Sequence, residues 1–308
     1  MHRLDDLDVR IIKELGSPSS PQWNVRETYS SIARRVGVDE ETVRRRLKRA
    51  EERGALPGWR MMVNPRLIGC EAASLDLDVE DESKKDTAIA AIKRVDGLIK
   101  ILDFRGLGIQ ITFYYPNANA LKRKIELFVS ICGSSRPTIW ELSFPDSEIR
   151  MTRTDWTIIE NMLDDPRKSL DSVSKSIGVS TRTVERRLTS MQQEFVVYLQ
   201  GIPNFKLFAG LSCVFLVFNP DAKKKKISDR NILAKTARTE LANTSSKQYS
   251  TFVLLFENLS EADDFTKWIK GLDGVQSVKM GVMKELIVVQ DWLREEIGKR
   301  TTENSSDH

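Results

Sequence analysis

The sequence predicts an α+β fold in which two winged helix-turn-helix domains alternate with two ferredoxin-like βαββαβ domains. Three observations carry the prediction. A stretch with helix-turn-helix punctuation occurs twice. Each copy runs into a short apolar segment that reads as a wing strand. After each wing the pattern alternates between strand and helix in the order βαββαβ.

The repeat is the strongest of the three. Residues 31–47, S-I-A-R-R-V-G-V-D-E-E-T-V-R-R-R-L, recur at 172–188 as S-V-S-K-S-I-G-V-S-T-R-T-V-E-R-R-L. At this offset of 141, Ser31, Gly37, Val38, Thr42, Val43, Arg45, Arg46 and Leu47 meet identical residues, and further on Gly69 meets Gly210. Upstream, D-V-R-I-I-K-E-L from Asp8 matches D-W-T-I-I-E-N-M from Asp155 at an offset of 147, so the first copy is six residues longer between the two blocks. The extra length falls in the Pro- and Ser-rich G-S-P-S-S-P-Q-W-N, a surface-loop composition where an insertion costs little. The second copy is expected to begin near residues 145–153.

In the first copy, Leu7, Ile11, Ile12 and Leu15 recur at helical spacing and give the first helix one apolar stripe. A second, short helix holds Ile32, Ala33 and Val36 and stops at Gly37, which tolerates the left-handed backbone of a helix C-terminus. Val38 is a turn hydrophobe. Asp39, in the N-cap position, opens a third helix that runs to about Arg53 before Gly54 ends it. The second copy repeats the punctuation with Ser169 as N-cap of its second helix, Gly178 at the turn and Ser180 as N-cap of its third. The wing strands are P-G-W-R-M-M-V from Pro57 and V-V-Y-L-Q-G-I from Val196.

The 3.6-residue period sets which side of each third helix meets water. With Val43, Leu47 and Ala50 inward, Glu41, Arg45, Lys48, Arg49 and Glu52 point outward and Thr42 flanks them. With Val184, Leu188 and Met191 inward, Arg182, Arg186, Thr189, Ser190 and Gln193 point outward beside Thr183. The candidate DNA-binding residues are therefore Glu41, Thr42, Arg45, Lys48 and Arg49 in one copy and Arg182, Thr183, Arg186, Thr189 and Ser190 in the other. Arginine binds guanine edges in bidentate fashion, each good pair contributing about 1–3 kcal/mol of discrimination. A basic helix is often only a solvated one, and R-R-R-L-K-R beside its glutamates could form i,i+4 ion pairs. The glycine turn, the capped third helix, the wing and the duplication together favour the nucleic-acid reading. Arg46 and Arg187 lie nearer the buried edge and are read as structural or phosphate-anchoring, while Trp23 and Trp59 are assigned to core or loop packing.

After the first wing the chain reads strand (A-A-S-L-D-L-D-V), helix (84–95), strands (L-I-K-I-L-D-F and I-Q-I-T-F-Y-Y), helix (118–131) and strand (T-I-W-E-L-S-F). The second copy follows with L-S-C-V-F-L-V-F, a helix near 231–241, a strand pair ending in S-T-F-V-L-L-F, a helix over 261–272 and V-Q-S-V-K-M-G-V. The lysine run 223–226 is placed in a solvated loop. A short C-terminal helix, W-L-R-E-E-I-G-K-R, precedes a tail, T-T-E-N-S-S-D-H, read as disordered. The domains are thus drawn at 1–63, 64–148, 149–203, 204–290 and 291–308, and the two sheet domains are expected to pack together as a pseudo-dimer.

Composition narrows the function. The net charge of +4 over 308 residues permits a polyanionic partner without demanding one. Cys70, Cys132 and Cys213 form no C-x-x-C pair and read as buried small hydrophobes, so no metal site or disulfide framework is expected. No apolar run reaches the roughly 18 to 20 residues of a membrane span, and a cytoplasmic location is expected. The two histidines, His2 and His308, stand at the chain ends, which weighs against hydrolytic triads and histidine-ligated metals or haems. No catalytic residue and no cofactor is assigned.

The series S-I-A-R-R-V-G-V, T-V-R-R-R-L, G-A-L and N-P-R-L-I-G, followed by an α/β segment, resembles the leucine-responsive and asparagine-synthesis regulator (Lrp/AsnC) family, twice over. The resemblance implies a sequence-specific transcriptional regulator, not an enzyme, with double-stranded DNA as partner and a homodimer through the α/β domains as the further association it admits. Family members often bind an amino acid effector near a turn carrying Gly-x-x-Asp. Here that turn is R-G-L-G-I from Arg105, and the second copy has Q-Y-S-T-F, so an amino acid effector is not expected and Gly106 and Gly108 are read as hairpin glycines. Some tandem relatives resemble siroheme decarboxylases, which hold a tetrapyrrole and depend on histidine; that alternative is disfavoured by the missing interior histidine. A protein-interaction scaffold is the third reading, since Glu40, Glu41, Glu51 and Glu52 moderate the first recognition helix.

Overall fold

Helix signals and strand alternation translate into ten strands and eleven α-helices among the described residues of the computed structural model, which are 5–15, 22–134, 136–208 and 210–303. His2, His308, residues 16–21 of the Pro- and Ser-rich insertion and the last five residues of the tail lie outside them.

The first helical unit comprises α1 (Asp6–Leu15), α2 (Tyr29–Val36) and α3 (Glu40–Glu52), then β1 (Trp59–Val63). Val9, Ile12, Leu15, Ile32, Val43 and Leu47 close its core. The first α/β half follows as β2 (Glu71–Asp78), α4 (Lys85–Ile92), β3 (Leu98–Phe104), β4 (Gly108–Tyr115), α5 (Ala118–Cys132) and β5 (Thr138–Leu142). The second unit is α6 (Arg153–Met162), α7 (Leu170–Ile177), α8 (Thr181–Gln193) and β6 (Val197–Gly201). The second half is β7 (Leu211–Phe218), α9 (Ala222–Lys235), β8 (Glu240–Ser245), β9 (Tyr249–Phe256), α10 (Leu259–Lys270) and β10 (Ser277–Val288), with α11 (Asp291–Glu303) at the end.

Four local expectations need correction. Lysines 223–226 are not in a loop and the helix does not start near 231. The Asp221 carboxylate accepts from the backbone N–H groups of Lys223 and Lys224 and caps α9 there. Lysine is a good helix former, and Lys225 turns inward, 5% exposed, its ammonium 2.7 Å from Asp229. Leu241 consequently belongs to β8. Ser169 precedes α7 without a side-chain capping bond. The first helix of the α/β half is shorter than 84–95, because Lys84 ends a 3-10 turn and Lys93 ends α4. At the C-terminus α11 continues through residues 301–303, where a disordered tail was expected. The three cysteines are buried, and burial pushes the thiols of Cys70 and Cys132 to about 11 and that of Cys213 to about 12.

The wing strands pair with each other. In the antiparallel β1–β6 ladder Trp59 faces Gly201 and Arg60 faces Gln200. At the repeat offset of 141, Gln200 is the counterpart of Trp59 and Gly201 that of Arg60. The ladder is therefore two-fold symmetric about its Trp59–Arg60 end, and it joins the two helical units back to back.

The remaining strands run in the order β5-β2-β4-β3-β10-β7-β9-β8, which is the same four-strand order written twice. The N-terminal part of β10 pairs with β7 and its C-terminal part with β3, so one strand serves both halves. The halves then fold face to face. Trp140 on β5 lies 5.7 Å from Tyr249 on β9, and Lys279 on β10 is ion-paired with Asp76 on β2, separations that a flat sheet with strands about 4.8 Å apart forbids. Helices α4 and α5 cover one outer face over Leu75, Ile111 and Phe113; α9 and α10 cover the other over Phe215, Phe252 and Leu254. A third core runs from the inner sheet faces through both helical units to Leu293 and Ile297 of α11, tying the four parts together. Tyr114 marks the junction, its hydroxyl 2.9 Å from the Val63 carbonyl and 2.8 Å from the Tyr198 hydroxyl.

Candidate nucleic-acid interface

Each third helix is set by its turn and its cap. Gly37 and Gly178 take left-handed backbone, φ 81° and 72°, and return their N–H groups to Ala33 and Ser174. L-residues with a side chain adopt this conformation at a cost, so the glycines define the angle at which the next helix departs. Asp39 then accepts from the Thr42 N–H at 2.7 Å and from its hydroxyl at 2.8 Å, bonds that hold the Asp39 carboxyl below the usual carboxylate range. Ser180 accepts from the Thr183 N–H at 3.1 Å, with the two hydroxyls 2.8 Å apart. Thr42 and Thr183 are thus engaged in capping as well as flanking the outer face.

On that face Glu41, Arg45, Lys48, Arg182, Arg186 and Thr189 are exposed, and Arg49 and Ser190 are half-buried. Among the described residues Arg45, Arg182 and Arg186 have no ion-pair partner, whereas Lys48 stands 3.8 Å from Glu52, and Arg44 2.7 Å from Glu40. The two helices differ in charge: α3 sets five basic residues against four acidic ones, and α8 sets three arginines against Glu185 alone.

Arg46 and Arg187 face the first helix of their own unit. Arg46 bonds Asp5 and Asp8, each at 2.8 Å, and those bonds raise its pKa. Arg187 reaches Asp155 at 3.1 Å and Thr152 at 3.3 Å. Asp8 and Asp155 are the residues matched at the offset of 147, so the sequence already held the signal that pairs them.

A clamp between the units was not foreseen. Arg26 donates to the carbonyls of Lys168 at 2.9 Å and Pro166 at 3.4 Å, and Arg167 donates to the Glu27 carbonyl at 3.2 Å. Arg167 also stacks 4.9 Å from the Tyr29 ring centre, with Arg44 at 5.2 Å on the same ring. Trp23 sits in an aromatic cluster with Phe195, Tyr198 and Phe144 at 5.3, 5.5 and 6.2 Å. Such contacts cross about 140 residues of chain and leave no periodicity to read.

The AsnC-type helix-turn-helix domain model matches residues 4–51. The HTH-type transcriptional regulator Ptr1 of Methanocaldococcus jannaschii is 31% identical over 104 residues, 33% of this chain and 66% of that protein. An uncharacterized HTH-type transcriptional regulator of Pyrococcus horikoshii is 30% identical over 112 residues, 35% of this chain and 67% of its own length. The chain thus spans about two thirds or less of the length of most of the curated relatives it matches. The crystal structure of the siroheme decarboxylase NirDL shares the fold over 96% of this chain and 99% of that one, with a TM-score of 0.57 and 11% identity. With the duplicated grammar of capped helices on the page, the chain belongs to the Lrp/AsnC family of helix-turn-helix proteins.

Proposed function

We propose that this protein is a sequence-specific, DNA-binding transcriptional regulator whose two helix-turn-helix units, in one chain, address an asymmetric pair of half-sites. The observation that carries the reading is the recurrence of an exposed, unpaired arginine at one helical position, Arg45 and Arg186, on two units joined by a two-fold strand ladder. Two-fold placement suits half-sites about one helical turn, or a multiple, apart, and the unequal charge of α3 and α8 suits half-sites of different sequence. In this reading the units are 1–63 and 149–203, the sheet domains 64–148 and 204–290, and Arg46 and Arg187 orient the reading helices. The site of action is the cytoplasm, where the chromosome of a prokaryotic regulator lies.

Selection from random duplexes followed by footprinting tests the proposal. The expected result is an enriched bipartite site whose preference relaxes in Arg45→Ala and Arg186→Ala at different half-sites. A protein that holds no duplex more tightly than random DNA at moderate salt defeats it. The likeness to siroheme decarboxylase NirDL supports a second reading only as far as the fold; a shifted Soret band on titration with siroheme would favour it.

A further inference from the structure

The inner faces of the two sheets do not fill the space between them. On β2 and β4, Ser74, Asp76, Gln110 and Thr112 alternate with the helix-facing Leu75, Leu77, Ile109 and Ile111, so the first half turns polar side chains toward the second. Close to the strand ladder a cavity of about 230 Å³ remains. Its wall combines Lys100, Thr112, Gln200 and Thr244 with Leu142 and Phe144. These side chains come from both sheet halves and from β6, the strand that joins the helical units.

Three features of the wall point to one chemistry. None of the described lining residues is Asp or Glu, while Lys100 supplies a cation whose ammonium burial pushes down to about 8; an arriving anion would offset that desolvation. Thr251 faces Thr244 across the β8–β9 register, is 1% exposed, and carries a hydroxyl with no hydrogen-bond partner among the described residues. Such a group is costly in a finished core. Leu142 and Phe144 give the remaining wall an apolar character. The volume falls below the roughly 300–1,000 Å³ of drug-sized sites, which limits the occupant to a small metabolite.

We propose that this cavity binds a small monocarboxylate with an apolar body and no amine, its carboxylate anchored by Lys100, hydrogen-bonded by Thr112, Gln200 and Thr244, and its body packed on Leu142 and Phe144. An amino acid fits less well, because its ammonium would enter beside a lysine with no acidic residue in the wall to receive it. The inference goes beyond duplex binding and is measured without DNA.

Calorimetric titration of the full chain with α-ketoisovalerate and with L-valine, which share a carbon skeleton and differ in oxo against ammonium, tests it. The keto acid is expected to bind saturably at one site per chain, valine at least about tenfold more weakly, and Lys100→Met to weaken the keto acid at least about tenfold. Lys223→Met, on exposed α9, is expected to leave binding unchanged. Should Lys100→Met fail to fold, Thr112→Val and Thr244→Val replace it, each expected to weaken binding several-fold. No saturable keto acid binding up to about 10 mM, equal binding of valine, or unchanged binding in folded cavity variants overturns the proposal.

Discussion

The guanidinium of Arg46 holds the carboxylate of Asp8 at 2.8 Å, and one repeat later Arg187 holds Asp155 at 3.1 Å. Each contact ties a third helix to the first helix of its unit. Asp155 is 2% exposed, so removing its partner leaves a buried carboxylate short of a donor. Arg187→Met is expected to destabilise the protein by about 1–3 kcal/mol, whereas Arg186→Met, one residue away on the exposed face, stays within about 0.5 kcal/mol of the parent. Thermal unfolding of the two variants checks this, and an equal fall in both would remove the distinction between orienting and reading arginines.

Phe195 occupies the place that Gly54 holds in the first copy, and both adopt positive φ, 54° and 69°. Phenylalanine there bears the cost of a left-handed residue, about 1–2 kcal/mol, partly offset by its edge contact with Trp23 at 5.3 Å. Truncation separates the two effects. Phe195→Ala and Phe195→Gly lose the ring alike, but only glycine relieves the backbone, so Phe195→Gly is expected to be the more stable of the pair by about 1 kcal/mol. Denaturant melts of both variants decide; the reverse order would mean that the loop relaxes away from positive φ once the ring is gone.

What could be read from the sequence was local. Gly37, Asp39, Gly178 and Ser180 act within one or two helical turns, and each sits where punctuation placed it. Alternation in A-A-S-L-D-L-D-V likewise sufficed for β2. Helix α9 escaped because its apolar stripe is thin, Ile232 being its one fully buried apolar side chain, and because a lysine run looks solvated until Asp229 is known to receive Lys225. The β1–β6 ladder, the inter-unit clamp and the sheet cavity escaped for another reason: all depend on pairings between copies, and a repeat signals that copies exist without showing how they meet.

Charge on α3 is held in check by its own glutamates, and that restraint is measurable. Glu52 stands 3.8 Å from Lys48, both largely exposed. If α3 meets phosphates, Glu52→Gln is expected to raise duplex affinity a few-fold at low salt and steepen the dependence of log K on log salt by up to about 0.9, while Lys48→Ala flattens it by a similar amount. Binding isotherms over a salt series supply the slopes. Slopes unmoved by either change would place α3 away from the backbone.

Asp76 lies between the sheets, 5% exposed, where burial pushes its carboxyl up to about 6 against the pull of Lys279 and with the added push of Asp78. Its folded pKa thus exceeds the unfolded value of 3.8, and between these limits the folded chain binds more protons than the unfolded one. Stability from this group is fully present below about pH 4 and is lost as pH rises toward and through 6, by at most about 3 kcal/mol for a shift of this size. Asp76→Asn cannot ionise and escapes the loss. The variant is therefore expected to gain on the parent steadily from pH 4 to 6 and to hold a constant lead above about pH 7. Unfolding free energies of both proteins across that range check the sign: a lead that shrinks with rising pH would show that Lys279 outweighs burial at this carboxylate.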